Sequence, residues 1–199
     1  QTPSVNYSTH GQDIGWQGYV KDGSTAGTTG QSKRLEAIRI KLSNNTSYKG
    51  TIQYQTHIQD IGWQGWKMND EMSGTSGQSK RLEAIRIKLT DELAENYDIY
   101  YRVHAQEFGW LGWAKNGESA GTAGYSYRLE AIEVKLVEKG GKAPGSTQDA
   151  YRQRYVSYQT HVQDIGWQGI KYDGEEAGTS GQSKRLEAVS YTHLTLPTT

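Results

Sequence analysis

Apolar and polar residues alternate strictly in several short stretches of the chain. Ile52, Tyr54, Thr56 and Ile58 interleave with Gln53, Gln55, His57 and Gln59, the period of two that marks a half-buried β-strand. Ile99, Tyr101, Val103 and Ala105 do the same against Tyr100, Arg102, His104 and Gln106. A second strand is predicted over Trp63-Gln-Gly-Trp-Lys-Met68, running into a turn at Asn69-Asp70. The matching turns elsewhere are Asp22-Gly23, Asn116-Gly117 and Asp173-Gly174. Such dipeptides favour hairpins because both residues adopt positive φ. A last strand spans Arg81 to Leu89, and here the alternation changes phase. Leu82 and Ala84 share one face, Ile85, Ile87 and Leu89 the other, with Arg86 and Lys88 toward water. A β-bulge near Ala84-Ile85 lets both apolar sets point inward; burial of both faces is the alternative. No stretch sustains a helical period, and Asp91 to Glu95 can form one helical turn at most.

These strands belong to a unit that occurs four times. Its opening reads Ser8-Thr-His-Gly-Gln-Asp-Ile-Gly-Trp16, Gln55-Thr-His-Ile-Gln-Asp-Ile-Gly-Trp63, Arg102-Val-His-Ala-Gln-Glu-Phe-Gly-Trp110 and Gln159-Thr-His-Val-Gln-Asp-Ile-Gly-Trp167. A Gly-Thr-x-Gly loop and Arg-Leu-Glu-Ala follow, with the arginine (Arg34, Arg81, Arg128, Arg185) 18 residues after the tryptophan in every copy. Trp16, Trp63 and Trp110 are spaced by 47 residues, whereas Trp167 comes 57 after Trp110. The extra residues, Glu138 to Thr147, have the Gly/Pro/Ser composition of a linker.

The spacing therefore predicts three repeats, about 5–47, 51–94 and 98–137, forming one domain over 1–137. A linker at 138–152 and an incomplete fourth repeat at 153–188 follow. From Val189 to Thr199 the sequence leaves the pattern and reads as the translation of a sequencing adapter, not native protein. The expected fold is all-β and pseudo-threefold, with a β-trefoil favoured and a β-prism second; a propeller needs at least four blades. One such unit is too small to bury its own large residues, so the core must form between units.

Composition narrows the function. Lys+Arg and Asp+Glu both number 22, giving zero formal charge, which argues against a nucleic-acid partner. Twenty-four glycines, 14 tyrosines and 6 tryptophans suit short strands with tight turns. Cysteine is absent, which removes disulfides and thiolate chemistry. No apolar run approaches the ~18 residues of a membrane span. The chain opens on Gln1 with no signal-peptide core, which reads as processing or excision from a longer protein.

The candidate chemistry is repetitive, whereas an active site usually occurs once. Gly27-Thr-Thr-Gly-Gln-Ser-Lys33 lacks the Gly-Lys-Ser/Thr step of a phosphate loop and precedes a strand, so it reads as a tight turn. His10, His57, His104 and His161 lie a repeat apart, too far to ligate one metal unless on a threefold axis. They are expected, with the Gln two residues on, to fix a loop by hydrogen bonds. Glu36, Glu83, Glu130 and Glu187 read as ion-pair partners of the nearby arginines. Trp16, Trp63, Trp110 and Trp167 read as core plugs between units. No catalytic residue, metal or cofactor is expected.

Trp66 and Trp113 differ, since Tyr19 and Ile170 fill their slot in the other copies. An aromatic in such a turn can stack on a sugar ring. The expected binding residues are therefore Trp66, Trp113 and Tyr19, with polar partners His57, Gln59 and Asp60, or His104, Gln106 and Glu107.

The composite His-x-Gln-Asp/Glu…Gly-Trp, Gly-Thr-x-Gly and Arg-Leu-Glu-Ala-Ile motif resembles the Clostridial hydrophobic repeats with conserved Trp, the ChW family, from about Val5 to Val189. The resemblance implies a secreted or surface-attached protein of a Gram-positive bacterium and a binding or adhesion role. It implies no catalytic residues. Partners would be cell-wall or other polysaccharide, or a surface protein. The alternative is a spacer that displays another domain and binds nothing tightly. The third copy departs most from the motif, at Phe108, Leu111, Tyr125 and Tyr127.

Overall fold

The structure, a computed structural model, describes Gln1 to His193; residues 194–199, the end of the stretch read as non-native, lie outside it. The chain divides into two compact units, Gln1–Arg152 and a second that begins at Gln153.

Each repeat of the first unit is built on one antiparallel pair. The leading strands, Ser4–Gly11, Ile52–Ile58 and Tyr97–Ala105, pair with the closing strands, Leu35–Ser43, Leu82–Leu89 and Leu129–Glu138. On its other edge each leading strand carries two two-residue strands. These are Gly15–Trp16 and Val20–Lys21, Gly62–Trp63 and Lys67–Met68, and Gly109–Trp110 and Ala114–Lys115. The expected second strand is thus two pieces, interrupted at Gln64-Gly65-Trp66. The turns after it have positive φ at both residues, as at Asn116 (48°) and Gly117 (86°). The one helix among the described residues, Asp91–Asn96, lies between repeats two and three.

The bulge is present but falls earlier than expected. In repeat two Leu82 opposes Ile58 and Ala84 opposes His57, so Glu83 is left over. The slip recurs at His10/Gly11 and His104/Ala105. It puts Leu82 in the core with Ile85 and Ile87 and turns Ala84 toward a strand from the next repeat.

That neighbouring strand closes the fold. Ser73–Gly74 of repeat two pairs with the closing strand of repeat one. Ala120–Ala123 of repeat three pairs with that of repeat two, and Ala26–Gly27 of repeat one with that of repeat three. The exchange is cyclic, so three repeats complete a pseudo-threefold ring. Gly27, Gly74 and Gly121 permit it: at each, a Cβ would sit 2.4, 2.3 and 2.4 Å from the carbonyl oxygens of Glu130, Glu36 and Glu83.

The core lies between the repeats and its largest members are Tyr7, Tyr54 and Tyr101, all fully buried. Their hydroxyls donate to the carbonyls of Ser24, Glu71 and Glu118 in their own repeats. Tyr7 also accepts the N–H of Val134 at 3.1 Å; Tyr54 and Tyr101 bond the backbone of Ile40 and Ile87 in the same way. Each tyrosine therefore ties its own turn to the closing strand of another repeat. Burial pushes Tyr7 and Tyr54 up to about 12, and Tyr101 in the same direction.

Part of the 138–152 segment packs on repeat three. Trp113 N–H donates to the Ser146 carbonyl (2.8 Å) and Gly121 N–H to that of Ala150 (2.9 Å). The second unit has its own leading strand, Val156–Val162, and closing strand, Leu186–His193. Leu186 is 54% exposed, whereas Leu35, Leu82 and Leu129 are buried. Gly178 keeps the exchange conformation (φ 105°) with nothing within 4 Å of its would-be Cβ.

Candidate functional site

The recurring His, Trp, Arg and Glu of each repeat form one linked group on the sheet. His57 and Trp63 are register partners, and their rings meet edge to face at 5.5 Å. Arg86, two strands away, lays its guanidinium over the Trp63 ring, 4.1 Å from the ring centroid. Behind the histidine, Nδ1 lies 3.1 Å from Glu83 Oε1, and Glu83 Oε2 accepts from Arg81 Nε at 3.1 Å. Repeat one has the same set in Arg34, Glu36, His10, Trp16 and Arg39. In repeat three the cation moves to the opposite strand: Arg102 stands 4.5 Å over Trp110 and pairs with Glu133.

The tryptophans are therefore not the core plugs that their recurrence suggests. Trp16, Trp63 and Trp110 are half-buried, and Trp167, whose repeat has Ser190 where Arg39 and Arg86 stand, is 51% exposed. The residues that fill the plug role are the three tyrosines of the leading strands. The histidines fix the motif through the glutamate of Arg-Leu-Glu-Ala, while the glutamines two residues on act separately. Gln12, Gln59 and Gln106 accept the backbone N–H of Arg34, Arg81 and Arg128, pinning the turn to the start of the closing strand.

The expected aromatic platforms fall in two classes. Tyr19 is 42% exposed, with Lys41 Nζ 4.2 Å over its ring and its hydroxyl bonded to Asp70 of repeat two. Trp66 is half-buried, with Lys88 4.1 Å over its ring. Trp113 is only 6% exposed. The chain at Ser146 bonds its backbone, and a Cβ on Gly145 would lie 2.9 Å from its indole Nε1.

Most of the expected polar partners are bonded within their own repeats. Trp66 adjoins Lys67, which opposes Tyr54, whereas Asp60 sits in the turn beyond Ile58 with Lys80 at 3.5 Å. His57 and Gln59 are committed to Glu83 and Arg81. His104 is likewise held by Glu130 at 3.0 Å and Gln106 by Arg128, and Glu107 is exposed in its turn. The structure brings Tyr19 and Trp66 together with Lys41 and Lys88. The departures of repeat three form an aromatic cluster, with Phe108 5.2 Å from Tyr125 and 5.6 Å from Tyr127.

Among the described residues no three His, Cys, Asp or Glu side chains are grouped to hold a metal ion, and no helix is long and apolar enough to cross a membrane. The fold and its repeated side-chain group define an all-β tandem-repeat module. The sequence pattern of the Clostridial hydrophobic W family matches residues 10–44, 57–91, 104–138 and 161–190. The chain belongs to this ChW family, a repeat module typically found in surface proteins and not itself catalytic. No curated protein and no solved structure matches it.

Proposed function

We propose that the chain is a non-catalytic binding module at the surface of a Gram-positive cell, with a polysaccharide, such as one of the cell wall, as its ligand. The observation that carries this reading is the paired ring and cation at equivalent places in repeats one and two. Tyr19 with Lys41, and Trp66 with Lys88, present an aromatic body beside an ammonium donor. A sugar needs an apolar surface for its C–H face and directional donors for its hydroxyls, and these pairs supply both. Two equivalent weak sites on one rigid ring suit a polymer, because the second contact becomes intramolecular once the first is made. Trp113, closed under the chain at Gly145 and Ser146, takes no part.

The test is depletion binding of the full chain to purified peptidoglycan and to a set of insoluble polysaccharides. Tyr19→Ala combined with Trp66→Ala should weaken binding to the retained polymer at least ~10-fold, since aromatic contacts dominate such interfaces. Unchanged binding would place the contact elsewhere. Failure to bind any polymer would support the spacer reading, in which the repeats only display a neighbouring domain.

A further inference from the structure

Equivalent side chains of the three repeats meet at one cavity of about 330 Å³. Arg34, Arg81 and Arg128 line it together with Gln12, Gln59 and Gln106, so the pseudo-threefold axis of the ring passes through it. What these groups have left to offer can be read from their bonds. Each glutamine spends its Oε1 on an arginine N–H, at 3.3, 3.3 and 3.4 Å. A carboxamide has one oxygen and one NH₂, so the end that remains is the donor. Each arginine spends Nε on Glu36, Glu83 or Glu130 at 3.0, 3.1 and 3.1 Å, which leaves the Nη donors.

Two more groups in the wall, Ser79 and Ser126, are hydroxyls that can donate. No carboxylate lines the cavity. The three glutamates are taken up by the arginines, and of the acids in the adjoining turns Asp13 and Asp60 lie near Lys33 and Lys80, while Glu107 is exposed. The glutamates offset the arginine charge, so recognition here rests on the donor geometry more than on net field. Donors arriving from three directions around an axis match a tetrahedral oxyanion, with one oxygen on the axis and three around it, and the guanidinium fork suits such oxygens.

We propose that this axial cavity is a binding site for a phosphate- or sulfate-class oxyanion, free or as the end group of a larger molecule. It is separate from the Tyr19 and Trp66 surface and does not depend on it. Three arginines that each look like one half of an ion pair in their own repeat become a shared site once the ring closes.

The test is an NMR titration of the ¹⁵N-labelled full chain with sodium phosphate, against sodium chloride at matched ionic strength. The signals read are the side-chain NH₂ groups of Gln12, Gln59 and Gln106 and the arginine Nε–H groups. Saturable shifts with phosphate, absent with chloride, are expected. Gln59→Glu with Gln106→Glu keeps the oxygen that accepts the arginine N–H and replaces the donors by negative charge. It should weaken phosphate at least ~10-fold with an unchanged Tm. Arg81→Lys, which keeps the charge and the pairing with Glu83 but removes the fork, should also weaken it and decides the matter if the double variant does not fold. Glycerol 1-phosphate run in parallel separates the two sources: tighter binding than phosphate assigns the site to an end group, weaker binding to the free ion. Shifts that never saturate, or that match those in chloride, overturn the proposal. So does undiminished binding by the folded variants.

Discussion

Trp63 illustrates how a recurring residue can mislead. Its ring is held between the edge of His57 and the guanidinium of Arg86, yet it is only half-buried. Tyr54, on the inward face of the same sheet, is fully buried. Trp63→Ala should therefore cost about 1–3 kcal/mol, mostly lost stacking and cation–π contact, while Tyr54→Ala should cost about 3–5 kcal/mol as a core truncation. Urea unfolding of the full chain followed by circular dichroism separates the two. Equal losses, or a larger one at Trp63, would contradict this placement. The alternation of the leading strands already put Tyr54 and Tyr101 with Ile52 and Ile99 on one side, so the core tyrosines were legible. The tryptophans were not, because identity at one slot in every copy fits a sandwiched surface ring as well as a plug. Trp113 was illegible for another reason: its cover comes from Gly145 and Ser146, whose composition marks a linker and says nothing of where that linker packs.

At the scale of the strand, the exchange between repeats depends on single glycines. Gly74 has φ 113°, and a Cβ there would stand 2.3 Å from the Glu36 carbonyl oxygen and 2.6 Å from Ala37 Cα. Gly178 in the fourth repeat has almost the same backbone, φ 105°, with open space around it. Gly178→Ala should cost only backbone strain, about 1–2 kcal/mol. Gly74→Ala adds a clash that only separation of the two strands relieves, and should cost at least about 3 kcal/mol. Thermal melts of the two variants measure the difference; similar Tm losses would show that the close approach is not required. The Gly-Thr-x-Gly loop was visible in the sequence as a tight turn. That its first glycine lies under another repeat's backbone was not, since local spacing carries no record of a partner strand elsewhere in the chain. The bulge was legible from the phase change at Leu82 to Ile85. Its position at Glu83 was displaced because Ala84 is small enough to serve the inter-repeat face.

At the scale of the molecule, the three seams share one chemistry, a buried tyrosine hydroxyl bonded to two repeats. Burial first, and nearby carboxylates such as Glu133 and Asp70 to a lesser degree, raise the tyrosines above their ordinary value, Tyr7 and Tyr54 to about 12. Below about pH 10 both folded and unfolded chains keep these protons and the seams contribute fully. Between about 10 and 12 the unfolded chain releases protons that the folded chain holds, so stability falls as pH rises, by up to about 1.4 kcal/mol per pH unit for each tyrosine. Urea midpoints at about pH 9 and about pH 11 should show this drop, and Tyr54→Phe should make it shallower. An unchanged slope in that variant would remove the tyrosine from the seam. The repeat count and the pseudo-threefold arrangement were legible in the 47-residue spacing. The axial meeting of three arginines was not, because each of them has a sufficient local explanation in its glutamate.

The axial site presupposes that repeats one and three meet, and the absence of cysteine allows that to be measured directly. Ala26 and Ile132 oppose each other where the exchanged strand of repeat one joins the closing strand of repeat three. Directly opposed residues in an antiparallel pair have Cα atoms about 4.5–5.5 Å apart, within disulfide reach. Ala26→Cys with Ile132→Cys, oxidised under native conditions and analysed by peptide mass mapping, should give a monomer with one internal disulfide joining the two. Free thiols, or disulfides formed only between chains, would contradict the closed ring.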